Sequence, residues 1–152
     1  MGMTYVKSDE LTAAPDATAA VEVDLGLGID EAARILGVLL DVYQSGVYAP
    51  NACIWIQGAY SFDPEDTIIN GTDDEQFAQL DLVTSSLTAA VEPQLQSASQ
   101  FFDFTRMNLV TTRNVALLLD AAADSGGVKG KVYYEKFKPS AIELTQLIAT
   151  RR

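Results

Sequence analysis

The apolar run at 115–119 (Val-Ala-Leu-Leu-Leu), closed by Asp120, constrains the fold more than any other stretch. It is too short for an ordinary helix and lacks polar alternation, which suits a strand buried on both faces. Asp124, Ser125, Gly126 and Gly127 follow as turn formers, and 131–137 resumes with Val132, Tyr133, Tyr134 and Phe137, so a hairpin is predicted. Pro139 ends it. Ser140 and Glu143 then make a capping box ahead of Ile142, Leu144, Leu147 and Ile148, predicting a short C-terminal helix.

Upstream, residues 1–20 carry few large apolar groups and read as an extended N-terminal arm anchored by Tyr5, Val6 and Leu11, leaving 21–152 as a single domain. Val21, Val23, Leu25 and Leu27 alternate with Glu22, Asp24 and Gly26, the period of a half-exposed strand. Residues 34–42 are read as a strand. A helical stripe through Ala32, Ile35, Leu36, Leu39, Leu40 and Tyr43 is the alternative, weakened by Gly37, Val38 and Val42. Residues 52–60 are strand material, with close approach or a bulge suggested by Gln57 and Gly58. A long polar connection spans 61–75, residues 76–85 read as a short helix or irregular segment, and 87–91 and 95–104 read as strands. Phe101, Phe102 and Phe104 are expected to fill the core. The fold class predicted is mainly β: an antiparallel β-sandwich or jelly-roll-like barrel with a short C-terminal helix.

With 152 residues, 48% of them apolar, one domain can bury a core without disulfide or metal support. Cys53, the sole cysteine, lies in an apolar stretch and reads as a buried thiol. No apolar run approaches a membrane span. Charge is uneven: residues 1–105 hold 17 acidic and 2 basic side chains, whereas 106–152 hold 4 acidic and 8 basic. The net charge of −11 argues against general nucleic-acid or anionic-membrane binding, which needs clustered Lys and Arg. Lys129, Lys131, Lys136, Lys138, Arg151 and Arg152 either solvate a hairpin tip and a chain end or face an acidic patch on another copy.

The chain contains no histidine, which removes Ser-His-Asp and Cys-His pairings and histidine-based zinc sites. No enzymatic activity is expected. Residues 126–132 superficially suggest a phosphate loop, but Ser125 and Val132 stand where Gly and Ser or Thr are required, so they read as a hairpin loop. Asp63, Glu65, Asp66, Asp73, Asp74 and Glu75 could gather oxygen ligands for Ca2+, though without EF-hand spacing. Otherwise no cofactor is expected. Trp55, Tyr43, Tyr48 and Tyr60 could form a sugar-binding platform, the alternative reading being a carbohydrate- or ligand-binding module.

The order of elements, Val21-Glu22-Val23-Asp24-Leu25, then Ile35-Leu36-Gly37-Val38, Asn114-Val115-Ala116-Leu117 and 131–136 ahead of Ser140, resembles the small β-sandwich coat proteins of viruses. That resemblance implies jelly-roll subunits tiling an icosahedral shell, located in the virion and assembled in the host cytoplasm. It implies partners that are copies of the chain itself and other capsid proteins. The candidate interface residues are Tyr5, Val6, Lys129, Lys131, Arg151 and Arg152, with the arm expected to lie on a neighbouring copy.

Overall fold

The computed structural model describes residues 3–45, 53–84 and 96–140. These residues form β1 (Thr4–Ala13), β2 (Ala17–Val23), β3 (Ala32–Gln44), β4 (Ile54–Ser61), β5 (Gln76–Thr84), β6 (Ser97–Asp103), β7 (Val110–Thr111), β8 (Val115–Ala122) and β9 (Gly126–Phe137). They make two antiparallel sheets, one ordered β1-β9-β3-β6 with β7 beside β3, the other β2-β8-β4-β5. The pairing is nested: β1 with β9, β2 with β8, β3 with β6 and β4 with β5. The chain is thus one long antiparallel ladder folded over on itself, and β3–β9 and β4–β8 pairing joins its two arms. No helix occurs among the described residues, and the helix expected beyond Ser140 falls outside them.

The strand expected at 34–42 is the centre of β3. The polar connection is also where expected, between β4 and β5. Several expectations are corrected. β8 and β9 do not form a hairpin, because they lie in different sheets and the chain between them turns a corner across the sandwich. That corner is fixed by Ala123 in the left-handed region (φ 71) and by buried Asp124, which accepts a 2.7 Å hydrogen bond from Gln44 Nε2. Gly126, Gly127 and Lys129 therefore belong to a central strand and not to a loop.

The N-terminal arm is likewise corrected. Residues 4–13 form a sheet strand that pairs with β9 from Thr4↔Glu135 to Ala13↔Gly126, and residues 17–23 form a strand of the second sheet. Large apolar groups are not required there, because Leu11, Ala13, Ala19 and Val21 need cover only the rim of the core. Residues 76–84 are a strand, with Ala78, Leu80 and Leu82 turned inward and Gln79 and Asp81 outward. The strand read at 87–91 lies outside the described residues. Cys53 is exposed, not buried. Of the three phenylalanines, Phe104 is buried and Phe102 packs on the core, but Phe101 is 53% exposed.

The core between the sheets interlocks large against absent side chains. On β4, Ile56, Gly58 and Tyr60 face Gly126, Val128 and Gly130 on β9. A Cβ on Gly126 would stand 2.7 Å from Ile56, and one on Gly58 would stand 2.7 Å from Val128. The sheets approach closely because each bulky group sits where its partner has none. Tyr60, Phe62, Phe77, Phe102 and Phe104 form an aromatic cluster, stacked except where Phe77 meets Phe104 edge-on.

Candidate functional site

The two sheets differ in what covers their outer faces. On the β2-β8-β4-β5 sheet, Ala59, Ala116 and Leu118 are fully buried beneath Ile69 of the connection between β4 and β5. The outer face of the β1-β9-β3-β6 sheet has no such cover among the described residues.

Alternation fixes what that face presents. Across its four strands run the register rows Val6, Tyr133, Gly37, Asp103; then Ser8, Lys131, Leu39, Phe101; then Glu10, Lys129, Asp41, Ser99. Two aromatic rings lie flat across glycines at either end. Phe101 crosses Gly37 to meet Tyr133 edge-on at 5.8 Å between centroids. Tyr43 crosses Gly127, and its hydroxyl donates to the Glu10 carboxylate of β1. Burial, that hydrogen bond and the charges of Glu10 and Asp41 push the Tyr43 phenol up to about 12.

Between the rings lies a shallow depression of about 440 Å3, lined by Leu39 and Gly130, by Lys129 and Lys131, and equally by the acidic Asp9, Glu10 and Asp41. The Lys129 ammonium sits 5.7 Å from the Tyr43 ring centroid. The described ion pairs engage Arg34, Arg113 and Lys138, not these two lysines. Val6 and Phe101, 52% and 53% exposed, add apolar area beside them. The face therefore mixes exposed apolar groups with alternating charge, Lys129 standing in register between Glu10 and Asp41, and is carried on a sheet.

Of the interface residues expected from sequence, Val6, Lys129 and Lys131 are brought together on this face. Tyr5 points to the other side of β1, stacked on Tyr134 at 5.6 Å with the Lys136 ammonium over its ring at 4.6 Å. Arg151 and Arg152 lie outside the described residues. Leu39, Phe101 and Tyr133 were not anticipated as surface residues, and Tyr43 was singled out only for a sugar-binding platform. One signal was available: adjacent residues on a strand face opposite ways, so Phe101 and Phe102 could not both enter the core.

The carboxylates proposed for Ca2+ do not converge, and no group of acidic residues among those described is arranged to hold a metal. The reason is local. Asp63 Oδ1 accepts from the Glu65 amide and Asp73 Oδ1 from the Glu75 amide, so each carboxylate closes its own turn. Asp66 accepts from Gln76 Nε2 at 3.1 Å, and the same amide reaches the Ile68 carbonyl at 2.8 Å. Burial raises the Asp66 pKa, but hydrogen bonds from Gln76, Ser61 and the Ile68 and Thr67 amides outweigh it and hold the carboxyl low. Glu65 and Asp74 remain exposed, and Ile68 is 64% exposed at the loop surface.

The aromatic platform is not formed by the described residues either. Tyr60 is wholly buried, Tyr43 lies on one outer face, and Trp55 lies exposed on the outer face of the other sheet. Tyr48 lies outside the described residues.

No protein-family model matches the chain, and no curated protein matches it. Among solved structures, that of Desmodium yellow mottle tymovirus is similar over 93% of this chain and 92% of its own, at 11% identity and a TM-score of 0.41. A protein of Bacillus endospore appendages, described as disulfide-linked pili, is similar over 88% of this chain and 91% of its own, at 16% identity and a TM-score of 0.33. A T13 IBDV viral particle structure is similar over 88% of this chain and 35% of its own, at 11% identity and a TM-score of 0.29.

Proposed function

We propose that this chain is a non-enzymatic structural subunit that assembles with copies of itself, serving as a major or minor coat protein in the icosahedral shell of a virion. The nested, rolled-up strand order is that of a jelly roll, an architecture used by viral capsid and lectin domains and by cupins. One observation favours assembly among these uses. Among the described residues the β1-β9-β3-β6 sheet leaves a rigid outer face on which half-exposed Val6 and Phe101 lie beside side chains of both charge signs, Lys129 and Lys131 with Glu10 and Asp41. Exposed apolar surface rimmed by polar and charged side chains is the composition of an interaction site.

The arm no longer enters this reading, since residues 4–13 are committed to the chain's own sheet. Contact is carried instead by sheet face and loops. Other shell proteins are compatible partners, whereas the net charge of −11 opposes direct contact with genome phosphates. Electron microscopy of the purified chain tests the proposal: closed particles of one diameter are expected, and a field without regular assemblies contradicts it.

A further inference from the structure

The assembly reading needs a surface that fixes how one copy is oriented on the next, and a strand edge does this through the spacing of its backbone groups. The two sheets have four long edge strands, β1 and β6 in one, β2 and β5 in the other. Three carry charge inside the strand, which discourages pairing with another chain: Lys7, Asp9 and Glu10 on β1, Glu22 on β2, and Asp81 on β5. β6 does not. Residues 97–102 are uncharged, and Asp103 stands only at the end of the strand. Register decides which backbone groups of β6 are free. The Gln44 amide donates to the Gln96 carbonyl and the Phe104 amide to the Leu36 carbonyl, and both pairs continue the β3–β6 ladder. Even-numbered residues of β6 thus bond to β3, whereas the amides and carbonyls of Ser97, Ser99, Phe101 and Asp103 point away from it. They meet no partner among the described residues. Ser97, Ser99, Gln100, Phe101 and Asp103 are also exposed, so the edge is open.

Resting on the assembly reading, we infer that β6 pairs antiparallel with β6 of a second copy about a two-fold axis at Gln100. This register engages all seven residues: Ser99 faces Phe101 of the second copy, Ser97 faces Asp103, and Gln100 faces its own counterpart. It gives the outward amides and carbonyls an extended partner, sets the two Asp103 carboxylates at opposite ends, and brings the half-exposed Phe101 rings diagonally together. The joined sheet runs β1-β9-β3-β6-β6-β3-β9-β1. Its contact is self-complementary and closed, so a larger shell uses a second contact besides this one.

The test uses full-length variants and their mass in solution across a range of concentration. Ser99→Pro removes an amide that faces the open edge and none that bonds β3, so the fold survives, as circular dichroism checks, while pairing is blocked. Association at least tenfold weaker is expected. Gln100→Glu and Gln100→Lys each set like charges opposite one another, with Cα atoms about 4.5 Å apart across the axis. Each should weaken association as much at low salt, whereas their equimolar mixture should restore it. This pair carries the test by itself if Ser99→Pro does not fold. If the wild type assembles and folded Ser99→Pro assembles equally well, or the mixture does not recover, the β6 pairing is wrong while the assembly reading stands. A wild type that stops at a two-chain species, lost in the variants, upholds the pairing and removes the shell. A wild type that stays a single chain at every concentration removes both.

Discussion

The Tyr60 hydroxyl occupies the space where a side chain at Gly130 would begin. Tyr60 crosses from β4 to β9 fully buried, and a Cβ on Gly130 would overlap its phenol oxygen. Gly130→Ala should therefore destabilise the chain by about 1–3 kcal/mol, the range for overpacking a close-fitted core. Urea denaturation reads this directly. The same hydroxyl is buried without a hydrogen-bond partner, and burial, then the charge of Asp9, push its pKa up. Tyr60→Phe removes an unsatisfied polar atom and is expected to stabilise by on the order of 1 kcal/mol. A loss of stability in Tyr60→Phe would show that the hydroxyl is satisfied in solution.

Asp9 and Asp66 should move stability with pH in opposite directions. Burial raises the Asp9 pKa against a smaller lowering effect from Lys7, and Asp9 Oδ2 has no hydrogen-bond partner. A raised carboxyl binds protons more tightly in the folded chain, so its contribution favours folding as pH falls through that pKa and is lost above it. Asp9→Asn is expected to stabilise at neutral pH and to lose that advantage in acid. Asp66 is held low by its hydrogen bonds, so its stabilisation is present above the unfolded pKa and lost as pH falls through the folded one. Asp66→Asn should cost stability at neutral pH and progressively less in acid. Denaturation midpoints of the two variants across pH 3 to 8 (about the carboxylate range plus neutrality) should therefore diverge from wild type with opposite signs.

Two corners of the roll are tied together through Asp16, whose Oδ1 accepts from the Ala123 amide at 3.0 Å. Both residues are left-handed, at φ 58 and 71. Aspartate tolerates that region, but alanine does not gain from it. Ala123→Gly keeps the amide and removes the Cβ clash, so a gain of roughly 0.5–1 kcal/mol is expected. Asp16→Ala removes the tie and should cost about 1 kcal/mol. Thermal melts of both variants check the pair, and a loss in Ala123→Gly would contradict the strain assigned to the corner.

Much of the fold was legible where one physical signal dominated. The apolar run at 115–119 marked a central strand, and Val21 and Val23 marked an inward face. Pairing partners were not legible, because the turn chemistry of Asp124 to Gly127 serves a hairpin and a corner between sheets equally well. Gly126 and Gly130 looked like turn residues, yet their use is to admit Ile56 and Tyr60 from the opposite sheet, a requirement visible only with both sheets in place. The site was half legible. Val6, Lys129 and Lys131 were singled out for charge and apolarity, but the face they share with Leu39 and Phe101 exists only because β3 and β6 continue the same sheet. The acidic loop misled for a local reason: its aspartates satisfy their own backbone before any ion could use them.

The claim that this chain works by binding its own kind is tested most directly by sedimentation velocity of the full-length protein over a range of concentration. The account expects a discrete species many times the 16.4 kDa chain mass. A single 16.4 kDa species at every concentration and salt would contradict it.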